Sequence, residues 1–200
     1  ANTVYVASYF APNGNYASII SRGRLFVSPA KSDRWIEISR KSGIRFKAAH
    51  FINDRSMAVL SDESGEYELW KVNTDGTDSA RQITRNSKTM ITNYAVSPNE
   101  KYIAYTDKND VLRIIDISNG NTLFRYDSAY SGLFDLGWSV DSRFLNFTQG
   151  LANLANQICM VDMRSKKIIP VSTARLDSYN PAWSADSNWL YFISERNLRT

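Results

Sequence analysis

The side chains that could support catalysis are few in this chain. Its 200 residues include one histidine, His50, one cysteine, Cys159, and 20 aspartates and glutamates. A serine nucleophile usually needs a histidine base, so a serine-type centre would have to use His50. The sequence contains no Gly-x-Ser-x-Gly segment, the sharp turn that presents the nucleophile in many hydrolases. His50 is therefore predicted to be a structural or channel-lining residue, with a catalytic role as the less favoured alternative.

Candidate metal ligands are equally sparse. One histidine and one cysteine, far apart in the sequence, argue against a zinc site. Asp62, Glu63 and Asp107 follow predicted strands, where we expect solvated turns that could bind calcium, but no Asp-x-Asp-x-Asp-Gly loop supports such a site. Cys159 falls on a predicted strand, which favours a small buried residue over a reactive thiol. The sequence thus predicts no catalytic residue, no metal and no cofactor.

A repeated motif occupies nearly the whole chain and would have to position any such residue. A short strand ends in an apolar anchor residue, a polar turn follows, and a second, strongly apolar strand begins. The anchors are Phe10, Phe51, Val96, Trp138 and Trp183, spaced by 41, 45, 42 and 45 residues. A period of this length with about four strands per unit is typical of β-propeller blades. We expect the five anchors in equivalent buried positions.

Turn chemistry supports the repeat. Three residues after each anchor an asparagine or aspartate recurs, and such side chains bond nearby backbone N–H groups and tolerate turn conformations. These residues are Asn13, Asp54, Asn99, Asp141 and Asp186. A large apolar residue then begins the second strand, at Tyr16, Met57, Tyr102, Phe144 and Trp189. Five ordered copies of one pattern indicate a single array.

The remainder of each unit also has strand patterns. Third strands are predicted at 24–28, 68–73, 112–117 and 157–162, and fourth strands at 35–39, 81–84, 122–126 and 168–172. The predicted fold is all-β, a partial β-propeller of about four four-stranded antiparallel blades plus half a blade. It forms one domain, 1–200, with blades near 3–43, 44–88, 89–132 and 133–177 and a half-blade at 178–200.

The incomplete last unit suggests a piece of a longer protein. Strand 189–194 is apolar and carries no charged residue, so it lacks the features that protect natural sheet edges. We therefore expect self-association through the terminal blades. The net charge of +4 includes no Lys/Arg run longer than two, which argues against nucleic-acid binding. No run of about 18 apolar residues predicts a membrane span, and a predicted strand at 3–10 leaves no room for a signal peptide.

Four segments resemble a known family. Segment 179–198 is similar to the P-A-W-S-P-D-G-K-W-L-Y-F repeat of TolB-like propellers and, more narrowly, to the last repeats of a propeller in the tricorn family of serine peptidases. Segments 22–31, 61–70 and 102–108 resemble the tricorn strands R-G-x-[LV]-F-x-V-P-A, S-D-E-S-G-E-x-E-[LF]-W and W-[IL]-A-[YH]-T-D-K. The chain departs from the consensus at the turn proline, replaced by Val140 and Ala185, and at the turn glycine, replaced by Arg55, Glu100, Ser142 and Ser187.

The resemblance to the tricorn family implies a function for this chain. Tricorn-type peptidases are large enzymes with two propellers, a PDZ-like domain and a catalytic region; they trim oligopeptides, and their propellers are thought to act as channels and filters. This chain would then be a non-catalytic propeller segment whose partners are peptides and the parent's remaining domains, in the cytoplasm. A TolB-like module that binds a protein partner, with a periplasmic location, is the alternative. The propeller of a prolyl-oligopeptidase relative is a third.

Overall fold

The computed structural model describes residues 6–38, 41–77, 79–130 and 132–195. In these residues strands are the only regular secondary structure, and all strand pairs are antiparallel. The described chain contains no helix that is long and apolar enough to cross a membrane. The prediction of an all-β partial propeller is confirmed.

Two four-stranded sheets form the first of two compact units, Ala1–Lys88. In each sheet the strands pair in chain order, so neighbours are joined by short connections. The first sheet contains β1 (Val6–Phe10), β2 (Tyr16–Ser21), β3 (Arg24–Pro29) and β4 (Ile36–Glu37). The second contains β5 (Phe46–Asn53), β6 (Ser56–Ser61), β7 (Glu68–Asn73) and β8 (Arg81–Gln82).

The second unit, Thr89–Thr200, contains two four-stranded sheets and a two-stranded one. The four-stranded sheets are β9 (Ile91–Val96), β10 (Tyr102–Asp107), β11 (Val111–Asp116) and β12 (Thr122–Asp127), followed by β13 (Leu133–Trp138), β14 (Phe144–Gly150), β15 (Asn156–Asp162) and β16 (Lys167–Pro170). The last sheet is β17 (Asp177–Trp183) with β18 (Leu190–Glu195). Each predicted third and fourth strand lies within two residues of an observed one at both ends, and the observed fourth strands β4, β8 and β16 are shorter than predicted.

The apolar core of each unit lies between adjacent sheets. In the first unit Leu25 and Val27 of the first sheet pack with Phe51 and Val59 of the second. In the second unit a cluster joins β10, β11, β14 and β15, and its member Phe147 is fully buried. Several middle strands lack the alternation that is typical of a half-exposed strand. β6, for example, is buried at every position.

The anchors Trp138 and Trp183 each pack against the sheet that precedes their own within the second unit. Trp138 stacks on Tyr102 with ring centroids 6.0 Å apart, and its indole Nε1 donates to the Ala95 carbonyl at 3.1 Å. Trp183 stacks on Phe144 at 5.9 Å, and its Nε1 donates to the Asn146 side chain at 2.7 Å. These two anchors therefore join neighbouring blades, as the repeat predicted.

The prediction that all five anchors are buried is wrong for Phe10. Phe10 is 72% exposed, whereas Phe51 is 5% and Trp138 9% exposed, and Val96 and Trp183 are half-buried. Phe51, Trp138 and Trp183 contact the sheet before their own, and among the described residues no sheet precedes β1. The buried residue at this strand end is the next one, Ala11.

The turn asparagines and aspartates act as the pattern predicts in four sheets. In the first sheet Asn13 Oδ1 accepts the Asn15 N–H at 3.0 Å. Asp141 Oδ1 accepts the Ser139 hydroxyl at 2.6 Å and the Arg143 N–H at 3.0 Å. Asn99 and Asp186 make the same pair of bonds in their own turns. The second sheet differs because the turn between β5 and β6 is shorter. There Asn53 Oδ1 accepts hydrogen bonds from the backbone N–H groups of Arg55 and Ser56. Asp54 instead accepts the side-chain amide of Asn13 in the first sheet.

Two of the residues that replace the turn glycine of the consensus, Ser142 and Ser187, make an additional hydrogen bond. Ser142 and Ser187 lie in the left-handed region with φ of 59° and 60°, where glycine is favoured. Each hydroxyl accepts a backbone N–H from the preceding turn, Ser142 from Asn99 and Ser187 from Asp141, both at 2.9 Å. The serine side chain thus adds a hydrogen bond between adjacent blades that glycine could not make.

Two substitutions at Ser142 should separate these effects. Ser142→Ala removes the hydrogen bond and keeps the unfavourable φ, so we expect the free energy of unfolding to fall by about 1–2 kcal/mol. Ser142→Gly removes the same bond but relieves the backbone, which offsets roughly 1 kcal/mol. Urea unfolding should therefore order stability as wild type, then Gly, then Ala. Equal stability of the alanine variant and wild type would contradict the inter-blade bond.

Candidate functional site

His50 lies on β5 opposite Ala58 of β6, one residue before the anchor Phe51. Its ring makes an edge-on contact with Tyr9, which holds the same repeat position on β1, with centroids 4.9 Å apart at 68°. Burial lowers the pKa of His50 to about 4. At neutral pH the imidazole is therefore uncharged and a weak base.

Cys159 is buried on β15, with 1% of its surface exposed. The Gln149 amide donates to its sulfur at 3.5 Å. Burial raises the pKa of the thiol to about 11. Since the thiolate is the reactive form, this environment suits the predicted packing role rather than nucleophilic chemistry.

The acidic residues proposed from sequence as calcium ligands have other partners. Asp62 accepts the backbone N–H of Arg45 at 2.7 Å, and Glu63 forms an ion pair with Lys41. Asp107, expected in a solvated turn, is 4% exposed, because it ends β10 inside the sheet and pairs with Arg113. No group of three or more potential metal ligands occurs in the part of the chain that the structure describes.

Asp107 is a structural carboxylate. Arg113 Nη1 donates to it at 2.6 Å and Thr89 Oγ1 at 2.8 Å, and the N–H groups of Asn109 and Val111 complete the set. Burial opposes the charged form, but these hydrogen bonds, led by Arg113, outweigh it and lower the pKa. The carboxylate holds the β10–β11 turn to the start of β9.

Neutralising Asp107 should destabilise the second unit. Asp107→Asn leaves Arg113 beside a neutral group, and we expect a loss of about 2–4 kcal/mol in the free energy of unfolding. Asp127→Asn is the matched control, since Asp127 pairs with Arg125 but both side chains are more than half exposed. Exposed pairs contribute little, so this variant should unfold like wild type. Equal effects of the two substitutions in urea unfolding would contradict the account.

A row of asparagine and aspartate side chains crosses the first strands of the second unit. Asn93 on β9, Asp135 on β13 and Asn180 on β17 each lie three residues before an anchor, and we name them the inner-strand Asx strip. Asn93 and Asn180 are exposed and Asp135 is half-buried. In the first unit the same positions hold Ala7 and Ala48.

The backbone of the strip is irregular. Asp135 and Asn180 have φ of 53° and 55°, and each lies within a register shift between the first and second strands of its sheet. Such bulges redirect side chains and are frequent beside functional sites. Thr148 donates to the Asp135 carboxylate at 3.1 Å, and the Asn146 amide donates to the Asp135 carbonyl at 2.8 Å.

Chemically, the strip can hydrogen-bond extended peptide. A carboxamide presents both donors and acceptors, and a carboxylate accepts N–H groups or a terminal ammonium. Sequence reasoning did not identify these residues as a site. The signal was present, because three residues before the last three anchors the repeat has Asn, Asp and Asn. The bulges that redirect them have no such signature.

Comparison with known proteins assigns the chain to a family. The family described as the second β-propeller domain of tricorn protease matches residues 6–200. The chain belongs to this tricorn propeller family. The prediction made from the four resembling segments is confirmed.

Individual tricorn relatives are distant and much longer. The Tricorn protease of Thermoplasma volcanium is 27% identical over 205 residues, which cover 99% of this chain and 19% of the relative. The Tricorn protease homolog of Saccharolobus solfataricus is 21% identical over 188 residues, 93% of this chain and 17% of the relative. The chain therefore spans about a fifth of the length of these relatives.

Solved structures share the fold. A crystal structure of the tricorn protease matches with a TM-score of 0.80 and 20% identity, over 94% of this chain and 18% of that one. A putative TolB from Agrobacterium tumefaciens matches with a TM-score of 0.72 and 17% identity, over 98% and 73%. At such identities the likeness concerns the fold alone, so the TolB match does not assign a TolB-like function.

Proposed function

We propose that this chain is a non-catalytic propeller segment of a tricorn-type serine peptidase, which contacts oligopeptides through the inner-strand Asx strip as a channel, filter or scaffold. The observation that carries the proposal is the tricorn propeller match over residues 6–200. The parent's remaining domains are its proposed partners, and its proposed location is the cytoplasm.

The state of His50 supports the non-catalytic part. A general base works best with a pKa near the operating pH, and burial holds the pKa of His50 at about 4. Its ring packs edge-on against Tyr9, and both side chains are half-buried. It is the only histidine in the sequence.

The Asx strip supports the peptide-binding part. Its three residues recur at one repeat position on β9, β13 and β17, and β13 contacts both of the other strands. Asn93 and Asn180 expose side chains that can donate to and accept from peptide groups. A strip that reads backbone groups would bind peptides of many sequences.

Peptide binding tests the proposal. Fluorescent oligopeptides of mixed sequence should bind the 200-residue chain saturably in anisotropy titrations. A triple variant, Asn93→Ala with Asp135→Gly and Asn180→Gly, should weaken binding at least tenfold. Glycine at the last two positions preserves the left-handed backbone.

A matched control keeps this result interpretable. Asn119→Ala with Asn121→Ala removes two exposed amides from the turn between β11 and β12 and should leave peptide affinity unchanged. Circular dichroism checks that each variant is folded. Equal binding by wild type and triple variant would refute the strip. Absence of any peptide binding would favour the alternative, a TolB-like module for a folded protein partner.

A further inference from the structure

Asp135 is the charged member of the inner-strand Asx strip. It lies on β13, and β13 contacts both β9, which contains Asn93, and β17, which contains Asn180. The equivalent positions of the first unit hold Ala7 and Ala48. Among the five copies of this repeat position, Asp135 is therefore the one that introduces a charge.

The fold of the bulge does not require that charge. Asp135 and Asn180 have nearly the same left-handed backbone, with φ of 53° and 55°, and each lies within a register shift between the first two strands of its sheet. An uncharged amide of the same shape thus fits this position. A left-handed backbone in a residue other than glycine costs energy, and such positions cluster at binding and catalytic sites. The carboxylate of Asp135 is therefore a candidate for ligand binding.

Buried polar groups hold Asp135 in position. Thr148 and Asn146 on β14 are 0% and 1% exposed. The Thr148 hydroxyl donates to Asp135 Oδ2 at 3.1 Å, and the Asn146 amide donates to the Asp135 carbonyl at 2.8 Å. Asn146 is fixed in turn by the Trp183 indole N–H, which donates to its Oδ1 at 2.7 Å. A carboxylate held in this way loses little conformational freedom when it binds a ligand.

The structure shows no cation beside this carboxylate. Asp135 is half-buried, and the ion pairs among the described residues all involve other carboxylates. A charge that is withdrawn from water is normally paired. Asp107 on β10 is an example of the paired state in this unit, since Arg113 Nη1 donates to it at 2.6 Å. Asp135 therefore has the chemistry to accept a cation from a ligand.

One hydrogen bond to Asp135 favours an ammonium over a guanidinium as that cation. An arginine guanidinium binds best when both carboxylate oxygens accept its planar fork, whereas an ammonium is a compact point charge for which a single oxygen suffices. Thr148 already donates to Asp135 Oδ2, which leaves Oδ1 as the better acceptor for a ligand. An ammonium group therefore fits this geometry better than a guanidinium.

We propose that Asp135 binds the ammonium group of a peptide, so that the inner-strand Asx strip selects peptides that carry a primary ammonium. This inference rests on the proposed function and names the group that the strip recognises. The exposed amides of Asn93 and Asn180 then contact uncharged groups of the same peptide. A peptide has two sources of this chemistry, its amino terminus and a lysine side chain.

Three peptides of equal length test the proposal on the 200-residue chain. The first lacks lysine and has a free amino terminus, the second is its N-acetylated form, and the third is the acetylated form with one lysine. Each carries a fluorophore at its carboxyl end, and anisotropy titrations give the affinities. At least one ammonium peptide should bind roughly tenfold to a hundredfold more tightly than the neutral one, the range expected for a charge-assisted hydrogen bond. The peptide that does so identifies the source of the ammonium.

Two substitutions assign the effect to Asp135. Asp135→Asn introduces the residue type found at the equivalent position 180, so it should abolish the preference for the ammonium peptide and leave the affinity for the neutral peptide unchanged. Asp127→Asn is the matched control, because it removes the same charge from an exposed ion pair on β12 and should keep the preference. Circular dichroism checks that both variants are folded.

Two outcomes overturn the inference alone. One is equal binding of all three peptides by wild type, a comparison that needs no variant, and the other is a preference that survives in Asp135→Asn. Either result leaves the proposed function standing, provided that the triple variant of the strip still weakens peptide binding. A wild type that binds none of the three peptides overturns both the inference and the proposed function.

Discussion

Replacing Trp138 with alanine is expected to lower the free energy of unfolding by about 3–5 kcal/mol, the usual range for a buried tryptophan. The side chain is 9% exposed, stacks on Tyr102 of the preceding sheet and donates to the Ala95 carbonyl. Its removal would open a cavity between two blades and leave that carbonyl without its indole donor. Urea unfolding followed by far-ultraviolet circular dichroism measures the loss.

The same repeat position provides a matched control. Phe10→Ala truncates the anchor of β1, which is 72% exposed, and should change stability by no more than about 0.5 kcal/mol. Trp138→Phe should fall between the two, since it keeps much of the stacking and loses the hydrogen bond. Similar losses for Phe10→Ala and Trp138→Ala would show that the anchors do not act by packing on the preceding sheet.

Acid is expected to destabilise the first unit through His50. The pKa of His50 is lowered from 6.5 to about 4 in the folded state, so the unfolded chain takes up its proton first. The contribution is present in full above about pH 6.5 and is lost as the pH falls toward 4. It amounts to roughly 2–4 kcal/mol.

Comparison with a variant isolates this contribution from that of the carboxylates. His50→Gln lacks the titrating group, so its stability should fall less between pH 7 and pH 4.5 than that of wild type. Unfolding by urea at several pH values gives both curves, and nuclear magnetic resonance of the single imidazole should show a midpoint near 4. Parallel stability curves, or a midpoint near 6.5, would contradict a half-buried His50 that is neutral in the folded state.

The sequence was sufficient for the strands because their signals are local. Each run of alternating or continuous apolar residues ends at a turn that contains an asparagine or aspartate. In three of these turns the side chain accepts the backbone N–H two residues later, at Asn99, Asp141 and Asp186. Burial of an anchor is not local. Phe10 has the anchor's sequence context but no preceding sheet among the described residues, so its exposure follows from topology alone.

The candidate site was less predictable. The pattern of the repeat contained Asn93, Asp135 and Asn180, but their significance depends on bulges at Asp135 and Asn180 that no residue type specifies. The sequence around Asp107 predicts a solvated turn residue. Its burial depends on hydrogen bonds from Arg113 and Thr89, which are distant from it in the local pattern. The roles of the turn serines Ser142 and Ser187 likewise require the adjacent blade.

Incubation of the purified chain with a mixture of oligopeptides, followed by mass spectrometry, tests the central proposal most directly. We expect peptides to be bound and recovered intact over many hours, because the sole histidine is a half-buried, weakly basic residue that contacts Tyr9. Cleavage by wild type that is abolished in His50→Ala, while that variant remains folded, would contradict a non-catalytic propeller segment.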